Sequence, residues 1–169
     1  KVIPVLFTGS QAPHYPWRNG INRIISQHYP TLQSPHFGWF NEKATARMPS
    51  GQAYARLLNA AMFAPACGTI ANEVVRKHFE IPASNTCLIT QRTPALEAAG
   101  FVDQVNCVFA DDTDVLDKLD WLFEHPDERQ RISQAGHDLF HARHTIQVRD
   151  QIYQWFRLHQ QLQPHQRII

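Results

Sequence analysis

Residues 63–90 read FAPACGTIANEVVRKHFEIPASNTCLIT. Two short apolar runs, Phe63–Cys67 and Thr86–Thr90, enclose a polar stretch that opens at Gly68. Neither run alternates, so both read as strands buried on two faces. The stretch from about Asn72 to Ile81, or a little beyond, reads as a helix. Strand, helix and strand in that order form a parallel pair joined by a right-handed crossover.

The same pattern extends outward. Val2–Phe7 is a buried strand closed by the turn Thr8-Gly9-Ser10. A helix follows from about Trp17 to Tyr29, with Ile21, Ile24, Ile25 and His28 on one face. Gly20 weakens it by about 1 kcal/mol relative to Ala. Ser50 suits the N-cap of a helix over Gln52–Met62, where Tyr54, Leu57, Leu58 and Ala61 share a face. Val105–Ala110 reads as a strand, and Asp112 as the cap of a helix that turns Val115, Leu116, Leu119, Leu122 and Phe123 inward. Pro126 opens another helix at N1, with Asp127 and Glu128 against its dipole. His144-Thr145 breaks it, and a last helix runs from about Ile146 to Leu162. Pro30–Pro49 is the least legible part, with Phe37–Phe40 as a short strand. The expectation is an α/β fold: a Rossmann-like parallel sheet with helices on both faces, over residues 1–162, and a polar tail over 163–169.

With 169 residues, 43% of them hydrophobic, the chain can bury the core of one domain. Its formal charge of +1 leaves no polybasic arm, so nucleic acid is not an expected partner. No apolar run approaches the 18 residues or so of a membrane span. The opening Lys1-Val2-Ile3-Pro4 reads as a strand, not as a leader, and suggests that an upstream part has been cut away. Cys67, Cys87 and Cys107 each sit in a short apolar stretch without a C-x-x-C, which fits buried thiols of a reducing, cytoplasmic compartment.

Ligands in such sheets bind at the carboxyl ends of the strands, which draws attention to two loops. In the first, Gly9 and Ser10 leave backbone N–H groups free to meet an anion and Arg18 adds charge; the alternative is an ordinary turn with a solvated Arg. In the second, Lys77 lies one turn before Glu80. A cation followed by a carboxylate suits a nucleoside diphosphate, phosphates to the cation and ribose hydroxyls to the carboxylate. The alternative is a surface ion pair worth a few tenths of a kcal/mol. His137, His141 and His144 fall at i, i+4 and i+7, a spacing that can hold a metal or simply close a polar helix end. No G-x-S-x-G elbow or H-E-x-x-H is present.

Several blocks together resemble a known family. Ser50-x-x-x-Tyr54-Ala55-x-Leu57-Leu58-Asn59, Lys77-His78-Phe79-Glu80-Ile81-Pro82-Ala83 with Cys87-Leu88-Ile89-Thr90, the Thr93-Pro94-Ala95-Leu96 loop, and His125-Pro126-Asp127-Glu128-Arg129 through Ala135-Gly136 to His144-Thr145 and Arg149 are similar to the bacterial glycosyl transferases group 1, the branch with CgeB-like proteins. Thr8-Gly9-Ser10 with Tyr15-Pro16-x-Arg18 resembles its start. The resemblance spans roughly residues 2 to 157 and implies the C-terminal, donor-binding half of a GT-B fold. It implies that Glu80 grips the donor ribose, that Lys77, with Arg76 beside it, meets the diphosphate, and that Gly9, Ser10 and Arg18 form the first loop of the donor cleft. Asn72, with Glu73 beside it, stands where related retaining enzymes carry a second Glu, and Asn85 stands where the family has Gly. Asn can take the left-handed conformation the turn asks of Gly.

The implied activity is transfer of a sugar from a nucleotide-activated donor to an acceptor hydroxyl. The partners are the nucleotide-sugar and a missing N-terminal domain, without which no turnover is expected. No cofactor is expected. The expectation is that no D-x-D serves a metal and that transfer is metal-independent, so the leaving diphosphate falls to a helix N-terminus and to Lys and Arg side chains. Two other readings stay open: a non-catalytic Rossmann-like scaffold, and another nucleotide-binding enzyme such as an epimerase. Tyr153, Trp155 and Phe156 on the last helix either meet another domain or close this one.

Overall fold

A computed structural model describes residues 1–35 and 49–161, and at positions 35, 149, 151–153, 155, 156, 160 and 161 the backbone alone. The chain alternates strand and helix: β1 (Ile3–Gly9), α1 (Pro16–His28), β2 (Thr31–Pro35), α2 (Gly51–Ala60), β3 (Ala61–Ala66), α3 (Lys77–Ala83), β4 (Cys87–Thr90), α4 (Pro94–Ala98), β5 (Val108–Phe109), α5 (Val115–Glu124), α6 (Pro126–Arg143) and α7 (Ile146–Gln161).

The strands make one sheet in the order β2-β1-β3-β4-β5, and every pair is parallel. Successive strand residues point to opposite faces, and both faces are covered. Val5, Phe7, Phe63, Cys87, Ile89 and Val108 join Ile21 and Ile25 of α1, Val115, Leu119 and Leu122 of α5, and Ile132 of α6. Leu6, Ala64, Ala66, Leu88 and Phe109 join Leu58 of α2, Ile81 of α3 and Leu96 of α4 on the other side. Each fully buried Leu, Ile or Phe contributes roughly 1.5–3 kcal/mol. The two apolar layers therefore outweigh the weak caps: neither Ser50 nor Asp114 makes a side-chain cap hydrogen bond.

The strand order reverses between β1 and β3, which leaves a crevice at their carboxyl ends. This is the Rossmann-like sheet the sequence pattern predicts, with local corrections. β1 runs on to Gly9, and β3 begins at Ala61, so Ala61 and Met62 are strand and not helix. The edge strand β2 was not expected at all: Thr31-Leu32-Gln33-Ser34-Pro35 has no apolar run because an edge strand is half solvated. The expected strand at Phe37–Phe40 and the tail at 163–169 lie outside the described residues, as do the side chains of Tyr153, Trp155 and Phe156. β5 is only two residues long, since Asp103–Cys107 forms a turn closed by a single bridge. Thr93–Leu96 is a helix start rather than a loop, with the Thr93 hydroxyl accepting from the Leu96 N–H at 3.2 Å. The N-cap of α5 is Asp114, not Asp112.

The largest correction concerns the segment after β3. The helix begins at Lys77, not at about Asn72. Gly68 lies so close to the chain at 72–73 that a Cβ there would stand 2.4 Å from the Glu73 carbonyl oxygen. Asn72 takes a left-handed φ of 55°. That packed turn takes up residues 72–76 before α3 can start.

Candidate functional site

β1 delivers Thr8 and Gly9 to the crevice, and α3 delivers Lys77 and Glu80 across from them. With Ser34, Pro49, Ser50, Gly51, Tyr54, Arg76 and Ser84 they line a cleft of about 590 Å³. Its apolar wall is Ala55, Leu58 and Ala83.

The Lys77 ammonium donates to the Thr8 carbonyl at 2.5 Å. It occupies the space over Gly9: a Cβ on Gly9 would lie 1.9 Å from Lys77 Nζ and 3.3 Å from the Arg18 guanidinium. Gly9 has φ 92°, so it is glycine both for conformation and for room. Burial, reinforced by the Arg18 charge and opposed by Glu80, lowers the Lys77 pKa to about 7. Arg18 is itself buried and ties the ends of two strands together. It donates to the Ser10 carbonyl at 2.9 Å and the Cys67 carbonyl at 3.3 Å, while Tyr15 stacks 4.4 Å from its guanidinium carbon. Its Nε has no hydrogen-bond partner among the described residues.

Glu80 meets Arg76, Oε1 to Nε at 2.8 Å. The ion pair on this helix is thus at i, i+4 with Arg76; the i, i+3 pair with Lys77, open on spacing alone, is not formed, because Lys77 turns to Thr8. The second oxygen, Oε2, is shielded from solvent and without a hydrogen-bond partner among the described residues. A carboxylate oxygen without a partner in a cleft wall retains capacity to accept hydrogen bonds.

Gly9, Arg18, Arg76, Lys77 and Glu80 therefore come together. Ser10 contributes its carbonyl to Arg18, and its hydroxyl accepts from the Ala12 N–H at 3.2 Å. Asn72 and Glu73 stand apart from the cleft lining. Asn72 accepts from Gln91 at 2.8 Å and Glu73 from the Thr69 hydroxyl at 2.9 Å. Glu73 sits below the ordinary carboxylate range, first through its own backbone N–H and then through Thr69. The N–H groups expected to be free at a helix start here are engaged: Asn72 donates to Thr69, and Val75 to His78 Nδ1 at 3.0 Å. His78 is buried, its other nitrogen 3.2 Å from the Thr90 hydroxyl, and burial lowers its pKa to about 4.

Tyr54, expected on the inward face of its helix, and Thr8, expected in the turn after β1, were not among the expected site residues. The two hydroxyls are 3.1 Å apart on the cleft wall, and burial raises the Tyr54 pKa. The signal was available in Tyr54 heading the inward face of α2. Asn85 does take the left-handed conformation that its turn requires, φ 51°. Contrary to that expectation, the chain does carry one D-x-D spacing, Asp112-Thr113-Asp114. It follows β5 and lies outside the cleft lining. Asp114 pairs with Lys118 at 2.6 Å and accepts from the Asp111 N–H at 2.9 Å. The three cysteines are buried and free, and burial raises each thiol's pKa. Among the described residues no helix is long and apolar enough to cross a membrane.

The five-stranded parallel sheet, covered by helices on both faces, matches the C-terminal, Rossmann-like half of the GT-B glycosyltransferase fold. The chain belongs to the glycosyl transferase-like family, which matches residues 8–154. The C-terminal domain of the glycosyl transferase group 1 family protein LpcC from Francisella tularensis is similar, with TM-score 0.64 and 16% identity over 85% of this chain and 89% of that one. Anabaena Alr3699/HepE, solved in complex with UDP-glucose, matches with TM-score 0.68 and 11% identity over 92% of this chain and 49% of its own. The chain thus spans about half the length of HepE. At these identities the likeness is one of fold. No curated protein matches the chain.

Proposed function

We propose that this domain binds the nucleotide-sugar donor of a glycosyl transfer in the β1–α3 cleft. The observation that carries the reading is the Glu80 Oε2 without a partner among the described residues, in the same cleft as the half-buried Lys77 side chain. The diphosphate sits against the Lys77 side chain that covers Gly9, with Arg76 at the cleft edge and the Arg18 charge behind. The ribose hydroxyls donate to Glu80. In the reaction the bond between the sugar's anomeric carbon and the diphosphate oxygen breaks and the acceptor oxygen bonds to that carbon. The nucleoside diphosphate leaves with the electron pair. Lys77 stabilises the charge that develops on it, an electrostatic role that works without a metal ion. The acceptor's proton goes to a base outside this chain, on the opposing N-terminal domain, so the domain alone binds without turning over. A cytoplasmic setting suits the donor and the free thiols. Asn72 and Glu73, held in their own turn, leave sugar contacts to other residues.

The test is calorimetric titration with UDP, GDP, ADP and CMP, with Glu80→Ala as control. Saturable binding of one nucleotide, lost in the variant, supports the reading and names the donor class. Equal binding by the variant refutes the role of Glu80. Absence of binding in a chain that includes the partner domain favours the scaffold reading.

A further inference from the structure

We propose that His137 and His141 form a two-imidazole chelate for a first-row transition-metal cation such as Zn²⁺ or Ni²⁺, on the outer face of α6 and independent of the nucleotide cleft. The two residues are one helical turn apart, and their rings face each other with centroids 4.3 Å apart. The Nε2 atoms are 3.1 Å apart. Two Zn–N bonds of about 2.05 Å span that separation at an angle near 100°, with the cation about 1.3 Å off the line between the nitrogens. A small rotation of two side chains aims both lone pairs at that point, and His141 is exposed enough to make it.

A second observation concerns the other nitrogen of His137. Nδ1 is shielded from solvent and has no hydrogen-bond partner among the described residues. Asp138 Oδ1 lies 3.7 Å from it. In the metal-free pair one Nε2–H donates to the other Nε2. A cation that takes both Nε2 lone pairs obliges each ring to carry its proton on Nδ1. For His137 that proton lies on the side of the Asp138 carboxylate, which is beyond hydrogen-bond distance in this arrangement and would have to move closer to act as an outer-shell partner.

His144 completes the sequence spacing but not the site. Its Nε2 lies 3.0 Å from the Ala99 carbonyl oxygen, and its ring packs 4.6 Å from that of Phe79. Asp138 accepts from Gln134 at 2.9 Å and faces Nδ1, not the Nε2 pair. The chelate is therefore bidentate, with water in the remaining positions. Two imidazoles select zinc, nickel or copper over magnesium and calcium, which prefer oxygen.

The test is titration of the whole chain with ZnCl₂ and NiCl₂ in a non-chelating buffer, read by calorimetry and by thermal melting. The expected result is one saturable site, weakened at least about tenfold by His141→Ala, where one ligand remains, and abolished by His137→Ala/His141→Ala. Zinc should raise the melting temperature of the wild type and not of the double variant. His144→Ala should leave the metal affinity unchanged, and MgCl₂ should do nothing. Circular dichroism confirms that α6 survives in the His141→Ala protein, an exposed change. Undiminished binding by that variant, or no saturable binding by the wild type at millimolar zinc or nickel, overturns the assignment.

Discussion

Nucleotide binding should consume a proton, and Lys77 is the reason. Burial and Arg18 hold its pKa at about 7 in the free protein. At pH 8 only about one-tenth of the chains then carry the ammonium, since each pH unit changes the ratio tenfold. A bound diphosphate reverses the balance, because an adjacent anion favours the charged form. If the complex holds Lys77 fully protonated, the lysine takes up about 0.9 proton per nucleotide at pH 8 and about 0.1 at pH 6. The terminal phosphate of the nucleotide, with a second pKa near 6, is already ionised at pH 8 and contributes little there, whereas at pH 6 binding as the dianion releases up to about 0.5 proton and turns the net uptake into release. Affinity should accordingly fall by close to tenfold per pH unit around pH 8. The assay is calorimetry in buffers of different ionisation enthalpy at each pH. The slope of observed enthalpy against buffer enthalpy counts the protons. Lys77→Met keeps the bulk over Gly9 and should bind weakly with no uptake at either pH. Intact binding with a flat slope at pH 8 would refute the argument, because the cation over Gly9 would then not be what meets the phosphates.

Three further outcomes follow from the packing. Gly9→Ala places a methyl where Lys77 Nζ sits and forces Ala to φ 92°; stability should fall by about 1–3 kcal/mol in denaturant unfolding, with nucleotide affinity lost as well. Gly136→Ala puts a Cβ 2.6 Å from the Asn106 carbonyl oxygen and 3.3 Å from the Pro82 side chain, so α6 must shift from α3; melting should show roughly 1–3 kcal/mol of destabilisation. His78 is buried neutral with its pKa at about 4, below the ordinary 6.5. The unfolded chain therefore binds the extra proton between those values, and stability should drop as pH falls from 6.5 to 4. The drop from this group is at most about 3 kcal/mol, and His78→Gln should remove that part of the pH dependence.

Much of the architecture was legible because it rests on local chemistry. Non-alternating runs such as Phe63–Cys67 must be strands covered twice. Pro126 at N1 and the helical face of Val115, Leu119 and Leu122 fix where α6 and α5 run. What could not be read was decided by contacts distant in sequence. The residues at 72–76 have helix-compatible side chains, yet the close approach of Gly68 and the left-handed Asn72 delay α3 by a turn and a half. β2 is held by pairing to β1 and carries no hydrophobic signal of its own. The same logic divides the site. Lys77 and Glu80 are visible as a cation and a carboxylate on one short segment. That Lys77 would turn to Thr8 while Arg76 took Glu80, and that Arg18 would be buried as a tie between Ser10 and Cys67, depended on where β1 ends.

Gly9 and Lys77 share one volume. The lysine's four-carbon stem supplies the atoms that a side chain at position 9 would otherwise supply, so the two positions behave as a single packing unit split across sixty-eight residues of chain. Relatives that enlarge position 9 should shorten position 77 in compensation, and those that keep the glycine should keep a long side chain opposite it. Sequence change at the mouth of this crevice is thereby constrained to pairs, and such covariation would be visible in any sufficiently deep set of relatives.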